Sequence, residues 1–468
     1  RIGIGLIAIS GLDALFFLLF LVAKSGNILQ FTMLTWNNLQ FSILTLLGTL
    51  IGYILWVPHH IAALIAGLSA VMLAQSARGK KAFRRFAILT IAGLGFASAL
   101  GLSVWVTLVF VVLWGIWIVL LFIQKTERGL IIPMVFAGIA AMLLASPFLI
   151  GMFQGGGSGG TGQFPIVFEV RAPVLLEPIV KDWSPIARSL VMLAILPFSY
   201  LFELGFIFVA GIYWFKIKGK GAIRSNPYYL VELILLAIAL FICSCLRSNS
   251  ALISTNDLGF RAWLPGQFIL LVWGVDVAEV LLFNKSGAAP GSVKPREAVI
   301  IRNVLQALIV IGILTSTLDA IFLRVFWPAW AGTEFGQQTY SARLAYNYLR
   351  DNVPADVITQ NNPLTALDRP SGLYGMHQMA ISDRTAYGVS SDVFHKSVNE
   401  IGVLFTNNNV TDWQLVDHIC QGHSIDVLII SDTDPVWSSL TALKKQRPAL
   451  YENAHYALYP CGDYAQNK

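Results

Sequence analysis

Apolar residues run in long, almost unbroken stretches through the first 330 positions and in shorter periodic patterns after them. A helix that crosses a bilayer needs about 20 predominantly apolar residues. Runs of that kind lie near 2–23, 58–76, 86–103, 104–123, 130–153, 187–215, 228–246, 262–283 and 303–328. The stretch from Phe86 to Ile123 is too long for one span and is split near Leu102–Val104. A further run, 41–57, is short and bounded by Pro58; it fits a tenth span or a helix dipping into the interface. The predicted fold class is therefore a polytopic α-helical membrane protein, with about nine or ten spans over 1–330. A soluble α/β domain follows over 331–468.

That domain is read from a change of period. SARLAYNYLRDNV has the spacing of an amphipathic helix, and ADVITQ reads as a strand stopped by Asn-Asn-Pro. VTDWQLVDHICQGH predicts a second helix with Thr411 as N-cap, and IDVLIIS a buried strand of the parallel type. SDTDPVWSSLTALKKQ starts another helix, with Pro435 near its first position. Alternating strands and helices argue for a small layered domain.

Charge fixes the expected orientation. Only 12% of residues are charged against 56% hydrophobic, about half the charge of an ordinary soluble domain. Arg78, Lys80, Lys81, Arg84 and Arg85 share one short connection, and Lys125 and Arg128 another. Lys216, Lys218, Lys220 and Arg224 follow, then Lys285, Lys294, Arg296 and Arg302. Every second loop is basic, which assigns all four to the cytoplasm and the tail to the opposite, extracytoplasmic side. The net charge of +6 thus reflects membrane topology and not a nucleic-acid surface. The outward connection 154–186 opens on a glycine-rich hinge, and Trp56, Trp183, Trp327 and Trp330 fall at predicted outer ends. The chain opens on Arg1 without the pattern of a cleavable signal, as expected of a piece of a longer protein.

Cys243 and Cys245 lie two apart in one span, where neither a disulfide nor a metal pair is expected. Cys420 and Cys461 both fall in the tail, where an oxidising compartment would permit a bridge. No CxxC or HxxxH spacing occurs, so no structural zinc site is predicted. Asn409-Val410-Thr411 fits a glycosylation acceptor, a triplet common by chance.

Ionisable groups are costly in a bilayer and mark functional candidates. Trp56, His59 and His60 sit at the outer end of one span, and Ser146 to Phe148 end another on that side. Asn256, Asp257 and Arg261 open a third, while Glu169, Arg171, Lys181 and Asp182 lie in the outward loop. Asp13 and Glu203 are embedded in apolar runs. Each has a plainer reading: interfacial histidines after Pro58, an i,i+4 ion pair for Asp257 and Arg261, and interhelical ties for Asp13 and Glu203. Their joint concentration at one membrane face suits a lipid-anchored substrate with a polar head.

At WVPHHIAALIAGL, NDLGFRAWLP and YLRDNVPADVITQNNP…RPSGLYGMHQMAISDR the chain resembles the C-terminal part of bacterial GT-C-type membrane glycosyltransferases. The resemblance implies transfer of a sugar from a polyprenyl-phosphate donor at the outer face of the inner membrane, usually with a divalent cation such as Mg or Mn. It assigns the lipid phosphate and substrate to His59, His60, Arg171, Asn256 and Arg261. Asp257 and Asp13 take the catalytic carboxylate roles, since inverting transfer needs a base for the acceptor hydroxyl. The family's acidic outward loop has no counterpart before the first run. That departure keeps open a non-catalytic subunit of a larger membrane complex, with other membrane proteins as partners. A lipid or solute transporter is a weaker alternative, since neither paired broken helices nor an inverted repeat is found.

Overall fold

The computed structural model describes residues 58–125, 127–155, 166–168, 182–219, 227–248, 257–283, 295–325, 334–365, 376–381, 391–406 and 412–466, with residues 5, 6, 9, 11, 12, 170, 180 and 221. The run 41–57, most of 2–23, residues 156–162 of the hinge, Trp56, Trp327, Trp330 and Asn409-Val410-Thr411 lie outside the described residues. The chain divides into two compact units, Arg1–Ser146 with Gln163–Arg324 and Pro147–Gly162 with Val325–Lys468.

The first unit is a helical bundle built from α1 (Pro58–Ser76), α2 (Ala82–Leu102), α3 (Val104–Gln124), α4 (Ile131–Gly155) as far as Ser146, α5 (Pro185–Leu204), α6 (Phe206–Trp214), α7 (Pro227–Cys245), the short α8 (Asp257–Ala262), α9 (Leu264–Ala278) and α10 (Pro295–Val325) as far as Arg324. Among the described residues eight helices are long and apolar enough to cross a membrane. The chain is an α-helical membrane protein. α3 shows how the sequence selects its buried face. Val106, Val109, Phe110, Leu113, Trp114, Trp117 and Leu121 are buried at three- and four-residue spacing, while Val111, Val112, Val119 and Phe122 face outward. Both faces are apolar, as expected of a helix flanked by protein and lipid. α1 instead buries Ala63, Gly67, Ala70 and Ala74. Small residues at this spacing let helix backbones approach closely. A Cβ on Gly67 would lie 2.3 Å from the Phe110 ring, and one on Gly93 of α2 would lie 2.6 Å from the Ala137 carbonyl oxygen of α4.

The split in the long apolar run falls at Ser103, which follows α2, caps α3 and accepts a bond from the Val106 amide. Other boundaries differ from the sequence reading. The run 187–215 is two helices, because Gly205 (φ +48°, ψ −111°) adopts a conformation open to glycine and breaks the ladder between α5 and α6. Ser146 to Phe148 fall in the last turns of the membrane-length stretch Arg128–Ile150 but do not stop the helix. α4 continues to Gly155, with the Ser146 hydroxyl donating to the Leu143 carbonyl one turn back. α10 begins at Pro295, so Arg296 and Arg302 lie on its first turns and not in a loop. From the first apolar run, the Leu12 amide donates to the Phe202 carbonyl at the end of α5.

The basic connections gather at one end of the bundle. Arg78 pairs with Glu127 (2.9 Å), and its guanidinium also approaches the rings of Trp117 and Tyr228. These contacts join the α1–α2, α3–α4 and α6–α7 turns. Lys216 pairs with Glu297 at the start of α10. At the opposite ends of the helices, β1 (Ile166–Phe168) pairs antiparallel with β2 (Leu246–Ser248), which leads towards α8.

The second unit holds α11 (Glu334–Asn352), β3 (Thr359–Gln360), α12 (Ser391–Thr406), α13 (Trp413–Gly422), β4 (Val427–Ser431), α14 (Leu440–Gln446), β5 (Tyr451–Glu452), β6 (Tyr456–Pro460) and α15 (Gly462–Gln466). Its sheet has the order β3-β4-β6-β5. β4 is wholly buried, but parallel only to β3 and antiparallel to β6, so the sheet is mixed. Of ADVITQ only Thr359 and Gln360 pair as strand. The cap of α13 is Asp412, not Thr411: its carboxylate accepts from the Gln414 amide. Pro435 opens a 3₁₀ turn, Pro435–Ser439, ahead of α14. One core lies between α12, α13 and the sheet, and another between the sheet and α11. Cys420 at the end of α13 is bridged to Cys461 after β6, with the Cα atoms 6.1 Å apart. Cys243 and Cys245 remain thiols, both buried in α7.

Candidate functional site

The end of the bundle away from the basic turns carries the histidine and arginine candidates. Pro58 sets the start of α1, so His59 and His60 occupy its first turn. Consecutive helical residues point in directions about 100° apart, which separates the pair. His59 is exposed, whereas His60 keeps only 2% of its surface and turns inward. The two rings lie 4.0 Å apart between centroids. Neither nitrogen of the buried His60 ring has a hydrogen-bond partner among the described residues. Arg261 stands on α8, which packs against α3 and α7, and its charge reaches both imidazoles. α1 and α8 are distant in sequence, so the fold itself brings the three side chains into one electrostatic neighbourhood.

Asp257 opens α8 one turn before Arg261, but its side chain lies outside the described residues. Asp13, Arg171 and Asn256 lie outside them altogether, as do Glu169 and Lys181. Asp182 is exposed just before α5. Glu203 sits at the end of α5, where the Gly11 backbone presses against its carbonyl: a Cβ there would come within 2.3 Å.

Side chains outside the sequence candidates complete this end of the bundle. Trp263, at the joint of α8 and α9, is fully buried and stacks on Tyr200 of α5 (5.9 Å, 20°). The Tyr200 hydroxyl bonds to Ser244 of α7. The Trp263 indole N–H and the Thr107 hydroxyl of α3 are buried with no hydrogen-bond partner among the described residues. A sealed polar atom left unbonded costs about 1–3 kcal/mol. Native folds keep few of them, and a bound polar ligand is one way to satisfy several together.

A second polar cluster escaped the sequence reading. Trp273 of α9 donates to Glu232 of α7 (2.8 Å), and Trp214 of α6 donates to Asp276 of α9 (3.0 Å). Lys218 also donates to Asp276 (3.2 Å), and the two indoles stack at 4.2 Å and 6°. The signal available in sequence was a carboxylate within each of two apolar runs, with Trp273 three residues before Asp276 on one helix face. Each carboxylate is bound, so this cluster ties α6, α7 and α9 together; beside it the Tyr213 hydroxyl of α6 is buried with no hydrogen-bond partner among the described residues. Among the described residues no group of three or more His, Cys, Asp or Glu is placed to hold a metal ion. Comparison with protein-family models, with curated proteins and with solved structures finds no match.

Proposed function

We propose that the bundle binds the phosphate head of a polyprenyl-phosphate-linked sugar at its outer face, and that the chain serves a GT-C-like glycosyl transfer there. The observation that carries this reading is the sealed, unbonded imidazole of His60 within reach of the Arg261 charge. A phosphate oxygen is an acceptor that a guanidinium binds by charge-assisted bonds, and a neutral imidazole can donate to it from one nitrogen. Both groups stand on spanning or span-entering helices, where a lipid-anchored head would lie. The alternation of basic and non-basic turns supports the orientation, with the basic end in the cytoplasm of a bacterial cell and the tail unit outside. The Cys420–Cys461 bridge suits such an oxidising compartment.

A second reading, a non-catalytic subunit of a larger membrane assembly, draws on the carboxylates. Glu232 and Asp276, engaged by tryptophan and lysine, lie towards the basic ends of α7 and α9, away from α8. The readings separate in one measurement. Native mass spectrometry of the purified chain with added undecaprenyl phosphate should show retained lipid, and the Arg261→Ala variant should lose it. Equal retention by both proteins overturns the site. Lipid binding without turnover of a lipid-linked sugar favours the accessory subunit.

A further inference from the structure

The tail unit carries a hydrogen-bonded set at one end of its sheet that the membrane site does not use. β3 and β4 run parallel, and β6 runs back beside β4, so the ends of β3 and β4 and the start of β6 meet at the same edge. In open α/β sheets ligands bind in the crevice outside the carboxyl ends of parallel strands. Here that edge presents Asn362, Asp432, Thr433, Asp434 and His455.

The edge is held rigidly before any ligand arrives. Asp434 accepts from the Asn362 amide (2.9 Å) and from the Ser431 backbone N–H (2.8 Å), closing the turn after β4 onto the segment after β3. The Asp432 amide donates to the His455 carbonyl (3.0 Å). The Asn453 side chain accepts from the His455 and Tyr456 amides and donates to the Ser341 carbonyl on α11. With its backbone fixed, the His455 imidazole bonds through Nδ1 to Asp432 Oδ2 at 2.5 Å. A carboxylate can only accept, so Nδ1 carries the hydrogen, and in the neutral ring Nε2 keeps its lone pair. That nitrogen has no hydrogen-bond partner among the described residues and is not sealed from solvent. His455 and Asp432 keep 16% and 23% of their side-chain surface. Beside them stands the exposed Thr433, whose hydroxyl bonds to Ser431 Oγ (2.7 Å).

The geometry points to a binding site for a polyhydroxylated, saccharide-type ligand at this edge, with His455 Nε2 accepting a ligand hydroxyl and Asp432 holding the ring in the accepting tautomer. An oriented lone pair, a carboxylate and a hydroxyl match a ligand that offers several O–H donors. They do not match a phosphate, which needs donors and positive charge. His455 is the contacting residue and Asp432 the positioning residue. The site lies wholly within the tail unit and is independent of the lipid-phosphate reading.

The test is carbethoxylation of the full-length protein in detergent by diethyl pyrocarbonate at mildly alkaline pH, followed residue by residue by mass spectrometry. His423 serves as the internal reference: it keeps a similar 19% of its side-chain surface, but its Nε2 is engaged by Glu400 at 3.0 Å. His455 is expected to react several-fold faster than His423 and to be protected by at least one of glucose, mannose or N-acetylglucosamine added in excess. The wild-type protection needs no variant and so cannot be confused with misfolding. In Asp432→Asn the amide can donate to Nδ1 and move the hydrogen to Nε2. The His455 rate should then fall several-fold while the exposed His418 keeps its own. Absence of protection by all three sugars, or an unchanged His455 rate in Asp432→Asn, overturns the proposal. Neither result bears on lipid retention by Arg261.

Discussion

In the bundle, His60, Thr107 and Trp263 are buried with polar atoms that meet no hydrogen-bond partner among the described residues. In the tail unit, Gln360, Asn362 and Asp434 are just as deeply buried, yet each makes at least two side-chain hydrogen bonds. The difference follows from what holds each unit in shape. Helices satisfy their own backbone groups, and long apolar or small-residue faces bury most of the surface that defines the bundle, with the Trp214–Asp276 and Trp273–Glu232 bonds joining α6, α7 and α9. The tail has two modest cores, strands as short as two residues and a sheet of four strands. It depends on side-chain bonds and a cross-link for its order. Sealed polar atoms without a hydrogen-bond partner among the described residues nonetheless occur in both units, at His60, Thr107, Tyr213 and Trp263 of the bundle and at His377 Nδ1 and the Tyr459 hydroxyl of the tail.

The largest expected effect attacks the tail. The Cys420–Cys461 bridge closes a sequence separation of 41 residues. Chain-entropy arguments give a loop of that size about 4 kcal/mol. Replacing both cysteines by alanine should lower the unfolding free energy of the tail by that amount, seen as a lower denaturant midpoint, while the helical signal of the bundle keeps its midpoint. A loss confined to the bundle, or none, would dissolve the contrast.

A smaller effect probes a sealed phenol of the tail. The Tyr459 hydroxyl is sealed without a hydrogen-bond partner among the described residues, and burial, aided by the Glu452 charge, pushes its pKa up to about 12 from 10.0. The fold thus favours the neutral phenol. Its stability contribution is whole below pH 10 and is lost as the pH rises towards 12, a change of about 3 kcal/mol for two pK units. Tyr459→Phe should flatten that part of the tail's stability curve. Parallel wild-type and variant curves would mean that the phenol is not sealed.

The smallest effect falls on the bundle. Gly93→Ala places a methyl group 2.6 Å from the Ala137 carbonyl, and overpacking of this kind costs about 2 kcal/mol. Thermal unfolding in detergent should report the loss in the helical signal alone. A variant as stable as the wild type would show that small-residue contact does not set the α2–α4 distance.

Legibility in sequence followed the same divide. The spans between 58 and 124 were readable because apolar length is a one-dimensional signal, and Ser103 stood at the expected split as a polar residue between two apolar runs. Gly205 was invisible as a break, since a lone glycine in an apolar run carries no mark of its φ angle. In the tail, the helices announced themselves by period. The sheet did not, because β3 keeps two paired residues and β4 takes antiparallel β6 as well as parallel β3. His59, His60 and Arg261 were named from their place at span ends, a property that survives without coordinates. The Trp273–Glu232 and His455–Asp432 pairs join residues 41 and 23 apart, and no local pattern predicts which partner a side chain meets.

Ser103 also bears on how the protein enters its membrane. One residue separates α2 from α3, too little chain to place a loop between them. During synthesis the pair must therefore leave the insertion channel as a single hairpin, with the α2 threonine and glycines carried in beside the greasier α3. Cutting that hairpin in two would leave α3 to choose its own direction, and every later helix would inherit the error.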